Sequence, residues 1–250
     1  PAFRVRYRLP CSMPCILRRM RMLRLMANYA RSLGRSGKDR VGATPLEIQY
    51  VAGLVRLFDE VRDVPGHIVE IGTGSGRNAL IFGELIKYSG QSGFRRYYGF
   101  DTFAGYTPAD LRSSPHLSSS SHVYSKAVTQ TRIQNAGLSN LCSVYEGDVS
   151  TSLPQWVSEP PAGVKFSPSQ LRIALLYLDC NAHRAASTAL RVLGPFLAPG
   201  SIVAVDETIQ GGETRALQDW CSQEGLAMRA GQFGSVISSF VRIPHTGGNN

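Results

Sequence analysis

Apolar residues recur at Ile48, Val51, Leu54, Val55 and Phe58, a spacing of three and four that lines one face of a helix. The pattern predicts a helix from Thr44 to about Val61. Thr44 would be its N-cap, Pro45 its first helical residue, and Glu47 the acid that closes a capping box. Pro65-Gly66 ends it. Short, nearly continuous apolar runs follow, and they predict buried strands at residues 67–71, 97–100, 142–145, 173–178 and 201–205, with a last apolar strand over 234–243. Helical patterns separate them: from the glycine-rich turn after Ile71 through Lys87, over 123–136 up to Gly137, over 185–193, and over 213–224. Strand alternating with helix means parallel strands joined by right-handed crossovers, hence a doubly wound α/β sheet with helices on both faces.

Two segments break this rhythm. Residues 102–125 are long, polar and Ser-rich, and 160–169 carry Pro160, Pro161 and Pro168. Structureless stretches of this length in a compact domain serve as lids or are plain insertions. The first leaves the C-terminal end of a strand, where α/β sheets bind ligands, so a mobile lid over an active site is expected there.

Composition adds a division of the chain. It has 250 residues and a formal charge of +9, yet residues 1–40 contribute +10 of that and the remainder −1. Residues 1–43 therefore form a basic N-terminal arm, helical in pattern over 17–33, and residues 44–250 a nearly neutral domain. The arm resembles an organelle-targeting peptide in being rich in Arg and poor in acids. Alternatively it covers the domain or a partner, or binds RNA, anionic lipid or an acidic protein. No apolar run is long enough to span a bilayer, so no membrane partner is expected. The five cysteines, Cys11, Cys15, Cys142, Cys180 and Cys221, lack metal-like pairing. Reduced thiols in a cytoplasmic protein are the default expectation.

The chemistry begins at Val69-Glu70-Ile71-Gly72-Thr73-Gly74-Ser75-Gly76. Glycines after a strand let the backbone turn sharply and approach a ligand where a Cβ would collide. A dinucleotide fingerprint would need a sixth-position glycine where Arg77 stands, and no Gly-Lys-Ser/Thr phosphate loop is present. Asp101 ends the second strand, where an acid can accept hydrogen bonds from ribose hydroxyls or simply cap the next segment. Glu146-Gly147-Asp148 ends the third. Asp179 ends the fourth, Asp206-Glu207 the fifth. Neighbouring parallel strands lie about 5 Å apart, so Asp179, Asp206 and Glu207 would converge unless each is absorbed in capping a helix. Clustered carboxylates repel until a cation or proton compensates them, and oxygen ligands suit Mg²⁺. His183, four residues past Asp179, is a candidate proton acceptor or a surface residue; His116 and His122, in the lid, are weaker candidates.

The glycine-rich strand end, Glu70 to Gly76, with Asp101 and Gly147-Asp148 in this order, resembles the class I S-adenosylmethionine-dependent methyltransferases. From Thr44 to about Leu226 the chain is similar to the macrocin O-methyltransferase family. The matching stretches are Pro65-Gly66-His67-Ile68-Val69-Glu70, Phe100-Asp101-Thr102-Phe103-Ala104-Gly105, Tyr145-Glu146-Gly147-Asp148, Ser152-Leu153-Pro154, Leu178-Asp179 and Asp206-Glu207. The resemblance implies a Rossmann-like, mostly parallel seven-stranded sheet, a homo-oligomer, a mobile loop after the second strand, and Mg²⁺ dependence. S-adenosylmethionine would lie against Glu70, Gly72, Thr73, Gly74, Ser75, Gly76, Asp101, Thr102, Gly147, Asp148 and Asp179, with Asp148 accepting from the adenine amine. Mg²⁺ would sit on Asp179, Asp206 and Glu207. Cys180, Asn181 and His183 depart from the family's Gly, Asp and Tyr, and Glu207 from its second Asp, so the metal site is weakened on paper.

The implied activity is methyl transfer to a hydroxyl of a small molecule, a sugar or natural-product intermediate. Asp179 and His183 would be its catalytic residues. Two rivals keep the fold: a binding protein that retains the cofactor but not catalysis, and a methyltransferase that uses the basic arm on RNA. The near-neutral domain argues against nucleic acid.

Overall fold

A computed structural model of the chain describes residues 44–161, 164, 166–206, 211–231, 233 and 237–245. The basic arm, the 17–33 pattern within it, and Glu207 lie outside the described residues.

The first helix, α1 (Pro45–Glu60), opens with the expected box: Glu47 N donates to Thr44 Oγ1 at 3.2 Å and Thr44 N to Glu47 Oε2 at 2.7 Å. From Gln49 onward the chain forms one compact unit. Its elements run β1 (His67–Ile71), α2 (Arg77–Tyr88), β2 (Tyr97–Asp101), α3 (Pro108–Ser113), α4 (Lys126–Asn135), β3 (Cys142–Glu146), α5 (Val149–Ser158), β4 (Ile173–Leu178), α6 (His183–Leu193), β5 (Leu197–Val205), α7 (Gly212–Glu224), β6 (Arg229–Ala230) and β7 (Ser239–Arg242).

The seven strands form one sheet in the order β3-β2-β1-β4-β5-β7-β6. Strands β1 to β5 are parallel; β7 runs antiparallel to β5, and β6 antiparallel to β7. Every residue of β1 and β4 is buried because helices cover both faces; β4 reads as an apolar run, whereas β1 also buries His67 and Glu70. One core cluster packs Tyr98, Phe100 and Trp156 against Leu176, Leu178, Ala186 and Leu190. Trp156, 3% exposed, contributes on the order of 3 kcal/mol by burial.

The final strand is shorter than the 234–243 pattern predicts, and β6 has only two residues. The helix α5 was not predicted, because Pro154 interrupts its pattern. Asp148 caps it by accepting from Ser150 N at 2.8 Å, which offsets the orphaned first-turn amides. Within the expected lid the chain folds the short helix α3, and Ala104 pairs with Val123 as an antiparallel bridge.

The sheet order reverses between β1 and β4. Chains leaving these two strands turn to opposite sides and leave a crevice at their C-terminal ends. The crevice decides where chemistry can occur.

Candidate functional site

A cleft of about 350 Å³ opens there. Its floor is the turn after β1. Gly72, at φ 97°, and Gly74, at φ 52°, occupy left-handed backbone that disfavours side chains. A Cβ on Gly72 would overlap the carbonyl of Asp179, and one on Gly74 would press on the Tyr124 ring. The glycines are therefore demanded twice, by conformation and by the closeness of β4 and the lid.

Gly72, Thr73, Gly74, Ser75, Asp101, Thr102, Gly147, Asp148, Asp179 and Asp206 all line this cleft. The sheet brings them together because each lies at or just beyond the C-terminal end of a parallel strand. Asp101 is held by two backbone amides: Gly74 N donates to its Oδ2 at 2.7 Å and Phe103 N to its Oδ1 at 2.6 Å. Burial raises its carboxyl above the ordinary range, and those two amides oppose the rise.

Glu70 and Gly76 are placed differently from the expectation. Gly76, at φ 79°, precedes α2, and Glu70 is fully buried beneath the cleft floor rather than facing it. Glu70 accepts from Asn78 Nδ2 at 2.6 Å and from the Tyr97 hydroxyl. Asn78 reaches Asp179 Oδ2 with the same nitrogen at 3.2 Å, and its Oδ1 accepts from Tyr50 OH at 2.7 Å. Asn78 and Tyr50 were missed in the sequence; Asn78 follows the glycine turn by two residues, and a polar side chain so early in a buried helix was the signal available.

Asp179 is pushed well above the carboxylate range, first by burial and then by the charge of Asp206, Glu70 and Glu213. Asp206 accepts from the Tyr177 hydroxyl, and Glu213, wholly buried, accepts from Asn181 N. Asn181 itself sits at φ 56°. Among the described residues no three His, Cys, Asp or Glu side chains form a group that could hold a metal. Two oxygen donors, Asp179 and Asp206, do stand on adjacent strand ends.

His183 is not brought to this cleft. It is the first residue of α6, and its Nε2 lies 3.1 Å from Asp219 Oδ2 in a separate groove between α6 and α7. The imidazole that does line the cleft is His122, whose Nδ1 lies 3.1 Å from Tyr106 OH. His122 has φ 60°, an uncommon conformation for a side chain of its size. His116 does not line the cleft.

Asp148 is engaged by Arg184, which Asp110 of α3 also binds. The ion pair and the amide of Ser150 hold Asp148 below the usual carboxylate range although burial alone would raise it. Arg77, the residue that departs from a dinucleotide fingerprint, stacks its guanidinium 3.9 Å from the Tyr50 ring centre at the cleft wall.

A search of the curated proteins gives no match to this sequence. Among solved structures, the fold is similar to that of CalS11, a calicheamicin methyltransferase, with a TM-score of 0.68, 22% identity and 97% of each chain covered. A second structure of CalS11, described as a TDP-rhamnose 3'-O-methyltransferase in calicheamicin biosynthesis, has a TM-score of 0.61 at 22% identity, covering 88% of this chain and 93% of that one. The O-methyltransferase NovP has a TM-score of 0.67 at 16% identity, covering 94% of this chain and all of its own. The model of a family described as a methyltransferase domain matches residues 69–208, from the glycine-turn strand through both acid-bearing strand ends. Spanning more than half of the sequence and the whole of the cleft's floor, that match shows that the chain belongs to the methyltransferase-domain family.

Proposed function

We propose that this protein transfers a methyl group from S-adenosylmethionine to a hydroxyl of a small molecule, a sugar or natural-product intermediate, as the macrocin-type resemblance implies. The observation that carries this reading is the convergence of Asp101, Asp148, Asp179 and Asp206 on one cleft floored by Gly72 and Gly74. The cleft suits the cofactor: bare backbone for close approach, an acid at the end of β2 for ribose hydroxyls, and Asp148 for the adenine amine. The CalS11 and NovP names support an oxygen acceptor. A cytoplasmic homo-oligomer belongs to the same reading.

Bound S-adenosylmethionine supplies an electrophilic sulfonium methyl group. The protein's task is to align a hydroxyl oxygen in line with it and to remove the hydroxyl proton. Held against Gly72, Gly74, Asp101 and Asp148, the cofactor would supply the methyl carbon and leave as a neutral thioether. Asp179 and Asp206 would face the acceptor oxygen from the ends of β4 and β5. The same two residues, with Glu207, would hold a divalent cation, whose charge would relieve their repulsion and lower the hydroxyl pKa. In this reading His122, which lines the cleft while His183 lies in another groove, would take the proton. Tyr106 and Tyr124 would shape the acceptor side and exclude water.

The test is calorimetric titration of S-adenosylhomocysteine with and without Mg²⁺, followed by labelled methyl transfer to hydroxylated acceptors. Micromolar binding with a Mg²⁺-dependent turnover is the expected result. Absence of any binding would return the glycine loop to a structural turn.

A further inference from the structure

One arginine ties the lid to the body. Arg184 stands in the first turn of α6 with its side chain 23% exposed. Its Nε donates to Asp110 Oδ1 at 2.8 Å, its Nη2 to Asp148 Oδ2 at 2.7 Å and to Thr107 Oγ1 at 3.1 Å, and its Nη1 to Asp148 Oδ1 at 3.2 Å. A single guanidinium thereby joins α3, inside the lid, to the turn after β3. Both acids and Arg184 line the cleft.

The lid helix depends on this contact. It has six residues, too few to hold a helix by its own hydrogen bonds. Asp110 serves it twice: Oδ2 accepts from Thr107 N at 3.0 Å and Thr107 Oγ1 at 2.6 Å to close a capping box, while Oδ1 is given to Arg184. Buried as it is, with its side chain 5% exposed, Asp110 needs a cation facing it. Beside it, His183 N donates to Ser114 Oγ at 3.1 Å, seating the end of α3 on the start of α6.

The other end of the fork sets Asp148. Two parallel N–H···O bonds fix a carboxylate in plane as well as in position. Ser150 N and Arg184 Nη1 both donate to Oδ1, whereas Arg184 Nη2 is the donor to Oδ2. Asp148, so held, lines the cleft.

We propose that Arg184 is a positioning residue that makes adenine recognition and lid seating one event. This rests on the S-adenosylmethionine reading above. The guanidinium that aims Asp148 at the adenine amine also holds Asp110, so an adenine that fixes Asp148 fixes the lid helix through it. By linkage the effect is mutual: a seated lid raises cofactor affinity by the factor by which cofactor favours the seated lid.

The experiment compares the full-length wild-type protein with Arg184→Met, Arg184→Lys and Asp110→Asn. Two quantities are read: S-adenosylhomocysteine affinity by calorimetry, and the rate of chymotryptic cleavage in the lid with and without that ligand. In the wild type, ligand should slow lid cleavage by about tenfold. Arg184→Met should bind about tenfold more weakly, with a cleavage rate that no longer responds to ligand. Arg184→Lys should recover part of both, since lysine keeps the charge but not the fork. Asp110→Asn breaks only the lid side and retains an acceptor for the capping box, so weakened cofactor binding there is what an effect confined to Asp148 would not produce. Should Arg184→Met fail to fold, Asp110→Asn and Arg184→Lys carry the same comparison. Unchanged affinity in Asp110→Asn, or ligand protection of the lid undiminished in the arginine variants, overturns the latch and leaves the cofactor reading intact. A wild-type protein that does not bind the ligand overturns both.

Discussion

The side-chain amide of Asn78 donates to Glu70 Oε1 at 2.6 Å, linking the first turn of α2 to the middle of β1 beneath the cleft floor. The same nitrogen touches Asp179, and the amide oxygen accepts from Tyr50. Three buried or half-buried polar groups therefore share one partner. Asn78→Ala should cost about 2–4 kcal/mol, because it strands Glu70 Oε1 and the Tyr50 hydroxyl in a region shut off from water. Thermal or denaturant unfolding checks this, and a loss below 1 kcal/mol would mean that water replaces the amide.

Asp179→Asn keeps the shape at the end of β4 and an acceptor for Asn78, while removing the negative charge. Turnover should fall by about a hundredfold or more with S-adenosylhomocysteine affinity close to that of the wild type. The separate readouts of kcat and calorimetric Kd test the division of labour, and a loss confined to affinity would place Asp179 on the cofactor side alone.

Two residues of β1 give opposite pH dependences. Burial pushes Glu70 up to about 8 from 4.5, against the hydrogen bonds of Tyr97 and Asn78. The folded protein thus keeps that proton where the unfolded chain releases it, so the contribution is complete below about 4.5 and lost as pH rises through 8. Burial, with Arg96 and Arg95 nearby, lowers His67 to about 4 from 6.5. Its Nδ1 accepts from Arg96 N at 3.2 Å, which the protonated ring cannot do. That contribution is present above 6.5 and lost as pH falls toward 4. Relative to wild type, Glu70→Gln should gain stability steadily from pH 5 to 8, and His67→Asn should gain it as pH drops below 6.5, as read from melting midpoints across pH.

Gly72 and Gly90 both have positive φ, at 97° and 77°. At Gly90 an added Cβ meets nothing within 4 Å, so Gly90→Ala should cost only the left-handed backbone strain, about 1–2 kcal/mol. Gly72→Ala adds an overlap with the backbone of β4 and should cost more than about 4 kcal/mol, or prevent folding. Similar melting points for the two variants would show that the turn after β1 can shift.

Much of the framework was legible in the chain. The predicted bounds of β1 and β4 coincide with those observed, since strands covered on both faces are mostly apolar and turn residues mark their ends. The acids at 101, 148, 179 and 206 were readable because a parallel sheet delivers every strand end to one side. The antiparallel pair at the sheet's end was less so: β7 is short, and the two residues of β6 carry no periodicity.

What the sequence by itself determined, then, is the alternation, the glycine turn and the edge on which the acids gather, all of which follow from local spacing and from the two-residue and 3.6-residue periods of strand and helix. Only the tertiary structure decided where individual side chains at those ends point. His183 begins a helix as the pattern allows, yet α7 supplies Asp219 and turns its ring into another groove. Glu70 sits in the glycine motif but is drawn below the floor by Asn78 and Tyr97. Arg184 meets Asp110 across 74 positions of chain, and no local pattern encodes a hydrogen bond between a lid and a helix that only folding brings together.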